Sequence, residues 1–253
     1  MVNAIGGGQG PNLAAAVDAN GYPYRLNMNP NSASVEFYFD PISPYAYLAF
    51  HALPQALAGL NVHVRYRPVL FAAMLKAAGQ RGPAEIAGKR EWTYRQVLWQ
   101  AREMGIDMQL PNAHPFNPLP LLRAMLAAGD GQGCVNRWVV QQVMDHVWQG
   151  GADPLDGDRL AALVQSLQAH RAAAWPNASA LTPDAVKALL VKNTDAALDR
   201  GVFGVPTCEF NGALFWGLDA LPMLKQAVAG DAWFGGSEWA QAASIPVGVE
   251  RKI

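Results

Sequence analysis

The chain has 253 residues, of which 51% are hydrophobic and 15% are charged, and its formal net charge is −1. Such a chain can bury a substantial core, and its balanced charge argues against nucleic acid or anionic membrane surfaces as partners. The two cysteines, Cys134 and Cys208, lie far apart and have no metal-ligand spacing. We therefore expect no metal site and a reduced, cytoplasmic protein.

Residues 1–34 are rich in glycine, proline and asparagine and contain no lysine or arginine before Arg25. A secretory signal needs a basic start followed by a continuous apolar run, and this segment has neither. We therefore expect residues 1–34 to form a disordered leader. No stretch of the sequence reaches the length of an apolar membrane span.

The first predicted strand leads directly into a helix. Hydrophobic side chains at Val35, Phe37 and Phe39 alternate with more polar residues, which is typical of a strand. Ser43 then stands at the N-cap of the helix and Pro44 at its first position, where a missing N–H costs nothing. Unpaired N–H groups and the positive end of the helix dipole would face a group bound beside the Ser43 hydroxyl, and they favour an anion such as a thiolate.

A second strand is predicted at residues 62–67, where apolar and polar side chains alternate. It is parallel to the first strand if the intervening helix makes a right-handed crossover. His51 lies on that helix, about two turns or about 11 Å from Ser43. We interpret His51 as a structural residue rather than a general base.

Between residues 69 and 201 no strand pattern appears, and one helical pattern follows another. The predicted helices span residues 71–78, 85–104, 118–128, 134–148, 158–168 and 183–200. Asn117 and Thr182, each followed by proline, are predicted to cap two of these helices.

The loop at residues 110–119 has three prolines that bracket His114 and Asn117. Such a loop is rigid and could present these polar side chains to a pocket. Each residue also has a local role available, because Asn117 can cap the next helix and His114 can bond a loop carbonyl. Lys76, on the helix at residues 71–78, could equally be a solvated surface charge.

A third informative stretch begins with Gly204-Val205-Pro206-Thr207 before a predicted strand. By itself, this tetrapeptide also fits an ordinary trans proline at a strand start. Asn211-Gly212 predicts a two-residue hairpin between strands at 208–210 and 213–216, in which Cys208 would be inert. Asp219 is predicted to cap a helix at residues 220–228.

The first and third stretches together resemble a known family. The turn Ser43-Pro44-Tyr45-Ala46 resembles the active-site turn of the thioredoxin superfamily, in its branch of bacterial disulfide oxidoreductases, but both cysteines of C-x-x-C are absent. Disulfide exchange by this chain alone is excluded, because it needs an attacking thiolate. The pattern F-x-F-D-x-x-S-P-[FY]-x-Y, followed later by G-V-P-T, is similar to the 2-hydroxychromene-2-carboxylate isomerases and the related kappa-class glutathione transferases.

The resemblance implies a site for glutathione as cofactor. The Ser43 hydroxyl would hold the glutathione sulfur. A cis bond before Pro206 would turn the backbone groups of Val205 toward the cysteinyl backbone of glutathione, which would bind like an added strand. The segment Trp216-Gly217-Leu218-Asp219 would also contact glutathione, with Asp219 near the γ-glutamyl ammonium. Leu218 stands where some relatives carry asparagine, so its contact would come from the backbone.

The resemblance also implies residues that bind the second substrate. Lys76 lies near the position where the family places a lysine against the substrate carboxylate. Asn117 corresponds to an asparagine that touches the substrate, and His114 is a weaker candidate beside it.

The fold that the resemblance implies is α/β, a thioredoxin-like fold with a large all-helical insertion between the second and third strands. Residues 35–68 and 202–229 would form the thioredoxin-like domain, and residues 69–201 the insertion. Residues 230–253 would form a C-terminal tail.

The implied function is glutathione-dependent cis–trans isomerisation of 2-hydroxychromene-2-carboxylate or a related aromatic-catabolic intermediate. The family similarity also favours a homodimer. Two alternatives stay open from the sequence. One is a kappa-like glutathione transferase, which would release a stable conjugate. The other is a non-catalytic thioredoxin-fold protein that only binds glutathione.

Overall fold

A computed structural model describes residues 33–249 of the chain. The predicted leader, residues 1–34, lies outside the described residues except for its last two, which belong to the first strand. The strands in this part are β1 (Ala33–Phe39), β2 (Val62–Pro68), β3 (Thr207–Phe210) and β4 (Ala213–Trp216). The α-helices are α1 (Pro44–Ala56), α2 (Phe71–Ala77), α3 (Lys89–Glu103), α4 (Leu119–Ala127), α5 (Arg137–Trp148), α6 (Gly157–Ala174), α7 (Pro183–Asp199), α8 (Leu221–Val228) and α9 (Ser237–Ala242).

The strands form one mixed sheet in the order β2-β1-β3-β4. β1 is parallel to β2 and antiparallel to β3, so Phe37 pairs with Tyr66 on one side and Cys208 on the other. The predicted parallel pair is therefore confirmed. β3 and β4 form the predicted hairpin, in which Asn211 and Gly212 have φ values of 50° and 81°. These left-handed values are those that an Asn-Gly turn provides.

β1 is buried on both faces toward its end, which the alternating sequence pattern did not show. Val35, Phe37 and Phe39 are fully buried, but Tyr38 and Asp40 are only 1% and 0% exposed. The reason is that helices cover both sides of the sheet. Side chains of α1 and α8 pack against one face, and side chains of α2 and α7 pack around Tyr38 on the other.

Helices α2 to α7 lie between β2 and β3 in the chain, which confirms the predicted all-helical insertion. Two predicted starts were wrong. α3 begins at Lys89 rather than at residue 85, after Gly88 with a φ of 77°. α5 begins at Arg137 rather than at residue 134, because the side chain of Asn136 accepts the Val139 N–H and caps the helix there. No helix within residues 33–249 is both long and apolar enough to cross a membrane.

The prediction that Asp219 caps α8 was also wrong. α8 begins at Leu221, Ala220 occupies the cap position, and no side chain caps the first turn. Asp219 instead folds back over Gly217, where an added Cβ would collide with the Asp219 carboxylate. Gly217 also has a φ of 98°, which favours glycine at this position.

The segment after α8 packs on the sheet. A short 3₁₀ turn at Ala232–Gly235 precedes α9. The rings of Phe234 and Trp239 lie 5.8 and 6.3 Å from the ring of Phe215 on β4. This part of the tail therefore covers the sheet beside β4.

Candidate active site

Ser43 stands at the N-cap of α1, as predicted. Its backbone is extended, with φ −89° and ψ 117°, and its Oγ accepts the Ala46 N–H at 3.2 Å. Pro44 follows at the first helical position. Because Ser43 is only 6% exposed, its hydroxyl is a nearly desolvated group at the positive end of the helix dipole.

The Ser43 hydroxyl contacts the Gly204-Val205-Pro206-Thr207 motif, at a residue 162 positions away in sequence. It donates to the carbonyl oxygen of Val205 at 3.4 Å, and the Val205–Pro206 bond is cis. The carbonyl of Pro206 in turn accepts the Gly217 N–H at 2.9 Å, which joins the segment after β4 to Ser43 and Val205. We call this junction the corner. Within residues 33–249 the Val205 N–H makes no hydrogen bond, so it is an available donor.

A cavity of about 940 Å³ lies at this corner. On the sheet side it is lined by Ser43, Val205, Pro206 and the segment Trp216-Gly217-Leu218-Asp219. The cavity therefore brings together every residue that was predicted to contact glutathione. Its other side is built by α2, α3 and the segment between them. We call that side the helical wall; its polar members are Gln80, Arg81, Glu85, Lys89, Thr93, Gln96 and Gln100.

Two of the three predicted substrate residues are not among the residues that line the cavity. Lys76 is exposed on α2, and Asn117 is exposed before α4. The Asn117 Oδ1 accepts the Leu119 N–H at 3.1 Å, while Pro118 takes the cap position that had been assigned to Asn117. Asn117 therefore bonds the backbone at the start of α4 without occupying the predicted cap position.

His114 does line the cavity, but both of its ring nitrogens are engaged. Nε2 lies 2.7 Å from the carbonyl oxygen of Ile42, and Nδ1 lies 2.8 Å from the hydroxyl of Tyr94. Burial lowers the pKa of His114, which favours the neutral ring. His114 therefore has the local role that the sequence allowed, a bond to a backbone carbonyl.

The helical wall carries cations that the sequence interpretation missed. Arg81 donates from Nη2 to the carbonyl of Glu85 at 2.7 Å, and Lys89 is the first residue of α3. Both are exposed side chains at the cavity. The wall also carries the Glu85 carboxylate, so its two cations leave a net positive charge, which suits a substrate anion.

The polar face of α3 completes the wall. Lys89, Thr93, Gln96 and Gln100 follow helical spacing, and this periodicity was the signal that could have identified them. Gln96 Oε1 accepts the hydroxyl of Tyr45 at 2.6 Å. The Oε1 of Gln100 is buried and has no partner in the described part of the chain, although other atoms of Gln100 line the cavity.

The mouth of the cavity is aromatic. Phe203 and Trp216 are 49% and 55% exposed, and their ring centroids lie 5.0 Å apart. Gly204 is required beneath them, because an added Cβ would lie 2.8 Å from Nε1 of Trp216. These rings offer an apolar surface to a planar ligand.

Asp40 supports the corner from inside the protein. Its carboxylate accepts the N–H of Ile42 and the N–H of Phe71, both at 3.0 Å. It therefore links the turn before Ser43 to the start of α2. Complete burial raises the pKa of Asp40 to about 7, although the two hydrogen bonds oppose that shift.

The chain's own thiols lie outside the cavity. Cys134 and Cys208 are both free and buried, and neither lines it. Burial raises the pKa of Cys208 to about 12, which makes its thiol unreactive at neutral pH. Among residues 33–249 no cluster of three or more histidine, cysteine or carboxylate side chains could hold a metal ion.

Comparison with known proteins agrees with this fold. Residues 34–229 match the model of the DsbA-like thioredoxin domain. The 2-hydroxychromene-2-carboxylate isomerase of Pseudomonas putida is 30% identical over 199 residues, which cover 77% of this chain and 93% of that protein. Glutathione S-transferase kappa 1 of Rattus norvegicus is 22% identical over 217 residues, which cover 82% of this chain and 96% of the relative.

A solved structure of a 2-hydroxychromene-2-carboxylate isomerase superposes on this chain with a TM-score of 0.62 and 25% sequence identity. The superposition covers 85% of this chain and all of that protein. The chain therefore belongs to the DsbA-like thioredoxin family. Its branch is that of the 2-hydroxychromene-2-carboxylate isomerases, as the two sequence motifs predicted.

Proposed function

We propose that the protein is a glutathione-dependent cis–trans isomerase of 2-hydroxychromene-2-carboxylate or a related aromatic-catabolic intermediate. The observation that carries the proposal is the 3.4 Å contact between the Ser43 hydroxyl and the Val205 carbonyl, in a cavity that no cysteine of the chain lines. A thiol used in this cavity must therefore come from a bound molecule. We further propose a cytoplasmic homodimer, in keeping with the family similarity and the two reduced cysteines.

The corner has the groups that glutathione requires. Val205 offers an unbonded N–H and a carbonyl, which suit the cysteinyl backbone of a peptide bound in extended form. Asp219 offers a carboxylate at the cavity for the γ-glutamyl ammonium, and Gly217 leaves room for that carboxylate. We propose these residues, with Ser43, Pro206, Trp216 and Leu218, as the glutathione site.

The role of Ser43 in this mechanism is electrostatic. Its O–H would turn from Val205 to the bound sulfur, where it and the first N–H groups of α1 stabilise negative charge. When bound, glutathione would supply the nucleophile, whose reversible addition makes the conjugated double bond single and so permits the rotation that precedes elimination. Because Ser43 is nearly buried, its hydrogen bond acts in a medium of low dielectric constant and gains strength.

The helical wall would hold the second substrate. We assign the substrate carboxylate to Arg81 and Lys89, in place of Lys76 and Asn117, since Arg81 and Lys89 line the cavity. The apolar side chains of Phe71 and Leu75 would contact the aromatic ring, and Gln96 or Gln100 would bond its hydroxyl or carbonyl oxygen. His114 lines the same cavity, but its ring nitrogens are already engaged.

The test is an ultraviolet assay of chromene-carboxylate isomerisation, with and without glutathione. We expect turnover that requires glutathione and leaves its concentration unchanged. The rat kappa-class relative makes transfer the second candidate. Glutathione consumed in stoichiometric amount, with chlorodinitrobenzene as a probe electrophile, would assign the protein to the transferases instead. Absence of glutathione binding in a calorimetric titration would leave a thioredoxin-fold protein without this activity.

A further inference from the structure

The turn at residues 40–43 is held partly by hydrogen bonds between its own residues. The Ser43 N–H donates to the backbone carbonyl of Asp40 at 3.0 Å, and the Ile42 N–H donates to the Asp40 carboxylate at the same distance. These bonds close the turn but leave its two middle carbonyls, those of Pro41 and Ile42, without a partner in the turn itself. A buried carbonyl needs a donor from elsewhere in the fold.

Both donors come from the helical insertion. Nε1 of Trp148, the last residue of α5, donates to the carbonyl of Pro41 at 2.9 Å. Nε2 of His114, in the loop before α4, lies 2.7 Å from the carbonyl of Ile42. The two rings also contact each other, with centroids 5.5 Å apart, and Trp148 is fully buried.

The bond to Ile42 fixes the tautomer of His114. A carbonyl oxygen only accepts, so Nε2 must carry the proton and Nδ1 of the neutral ring must accept. The Tyr94 hydroxyl lies 2.8 Å from Nδ1 and 3.1 Å from the backbone carbonyl oxygen of His114, so its one proton is shared between two acceptors of the same residue. Tyr94 on α3 therefore orients His114, and His114 orients the peptide that precedes Ser43.

We infer that His114 and Trp148 are positioning residues, which hold the carbonyls of Ile42 and Pro41 and thereby set the direction of the Ser43 hydroxyl. The link to catalysis rests on the proposed role of Ser43, whereas the link to the turn does not. Small displacements of a catalytic group lower rates strongly, since the group must meet the reacting atom in a narrow range of geometry. The insertion thus shapes the corner as well as the cavity wall.

The test uses amide hydrogen exchange in the chain without glutathione. The Ala46 N–H is bonded to both the Oγ and the backbone carbonyl oxygen of Ser43, at 3.2 and 3.1 Å, so its exchange rate reports on the position of Ser43 as a whole. We expect His114→Leu to speed Ala46 exchange about tenfold, and His114→Gln, whose amide nitrogen can replace Nε2 as donor, to stay near wild type. Trp148→Phe, which keeps an aromatic ring but loses the N–H, should also speed exchange.

His146 provides the matched control. It lies in the same insertion, and its Nε2 bonds the carbonyl of Pro154 at 2.9 Å, far from Ser43 in the chain. His146→Leu should leave Ala46 exchange unchanged. The nitrogen-15 NMR spectrum of wild type should show His114 neutral and protonated at Nε2.

Kinetics then separate positioning from substrate contact. We expect His114→Leu to lower kcat about tenfold with little change in the KM for the carboxylate substrate, and His114→Gln to restore most of it. Unchanged Ala46 exchange in both His114→Leu and Trp148→Phe would overturn the inference, whether or not glutathione binds. If His114→Leu does not fold, Ala46 exchange in Trp148→Phe alone tests the inference. Failure of wild type to bind glutathione would instead refute the proposed function, and the exchange comparison would still stand.

Discussion

The two sides of the cavity are built differently. At the sheet corner, Ser43 is 6% exposed and bonded to both Ala46 and Val205, and side chains from two other segments bond the turn that carries it. On the helical wall, Arg81 and Lys89 are exposed side chains on long flexible stems. The corner is therefore organised before any ligand arrives, whereas the wall can adjust to the molecule it meets.

This difference suggests that corner residues serve the chemical step and wall residues serve substrate binding. Removal of a corner group should act mainly on kcat, because its geometry serves the reacting atoms. Removal of a wall group should act mainly on KM, because it binds the unreacted part of the substrate. The following variants test that separation.

Ser43→Ala should have the largest effect. We expect kcat to fall about a hundredfold, with a modest loss of glutathione affinity, because the donor to the developing thiolate is lost. The thiol pKa of bound glutathione, measured from its ultraviolet thiolate absorbance, should rise. Helix capping is lost as well, at a cost of about 1 kcal/mol of stability.

Thr182→Ala is the matched control for Ser43→Ala. Thr182 caps α7, also precedes a proline, and accepts the Ala185 N–H at 3.2 Å. Its replacement should cost similar stability in urea unfolding and leave turnover unchanged. Equal turnover in Ser43→Ala and wild type would remove Ser43 from the mechanism.

Arg81→Ala should raise the KM for the carboxylate substrate about tenfold and change kcat little, since one charge-assisted hydrogen bond to the substrate is lost. Lys76→Ala removes a cation from the adjacent helix but not from the cavity lining, so we expect less than a twofold change. Steady-state kinetics on both variants decide the assignment. A larger rise in KM from Lys76→Ala would instead assign the carboxylate to Lys76, the residue that the family resemblance implied.

Asp40→Asn should change the pH dependence of stability. The pKa of Asp40 is raised from 3.8 to about 7 in the fold, so between these values the folded chain holds a proton that the unfolded chain has released. Asp40 therefore lowers the free energy of unfolding as pH rises through this window, by about 1 kcal/mol per pH unit. Asp40→Asn removes this term, so wild type should lose stability relative to the variant from about pH 4 to pH 7.

Urea unfolding of both proteins across that range measures the difference. The exposed Asp195→Asn on α7 serves as the control and should show no such trend. A difference between wild type and Asp40→Asn that stays constant with pH would contradict the buried, protonated carboxyl.

Much of the corner could be predicted because its signals are local. Ser43-Pro44 limits where a helix can begin, and Asn211-Gly212 selects one turn conformation. Asp219 shows where local signals fail. Its sequence fits an N-cap, but the turn after β4 directs its carboxylate over Gly217, and α8 starts later.

By itself, the sequence determined the first two strands and the helix between them, the hairpin, the helical insertion and the family, because each follows from backbone preferences or from short motifs. The tertiary structure alone decided that Lys76 and Asn117 do not line the cavity, that Arg81 and Lys89 line it, and that Asp40 is buried. Those facts depend on how separate helices pack against the sheet. Packing of that kind joins residues far apart in sequence, and a single chain's local pattern carries little record of it.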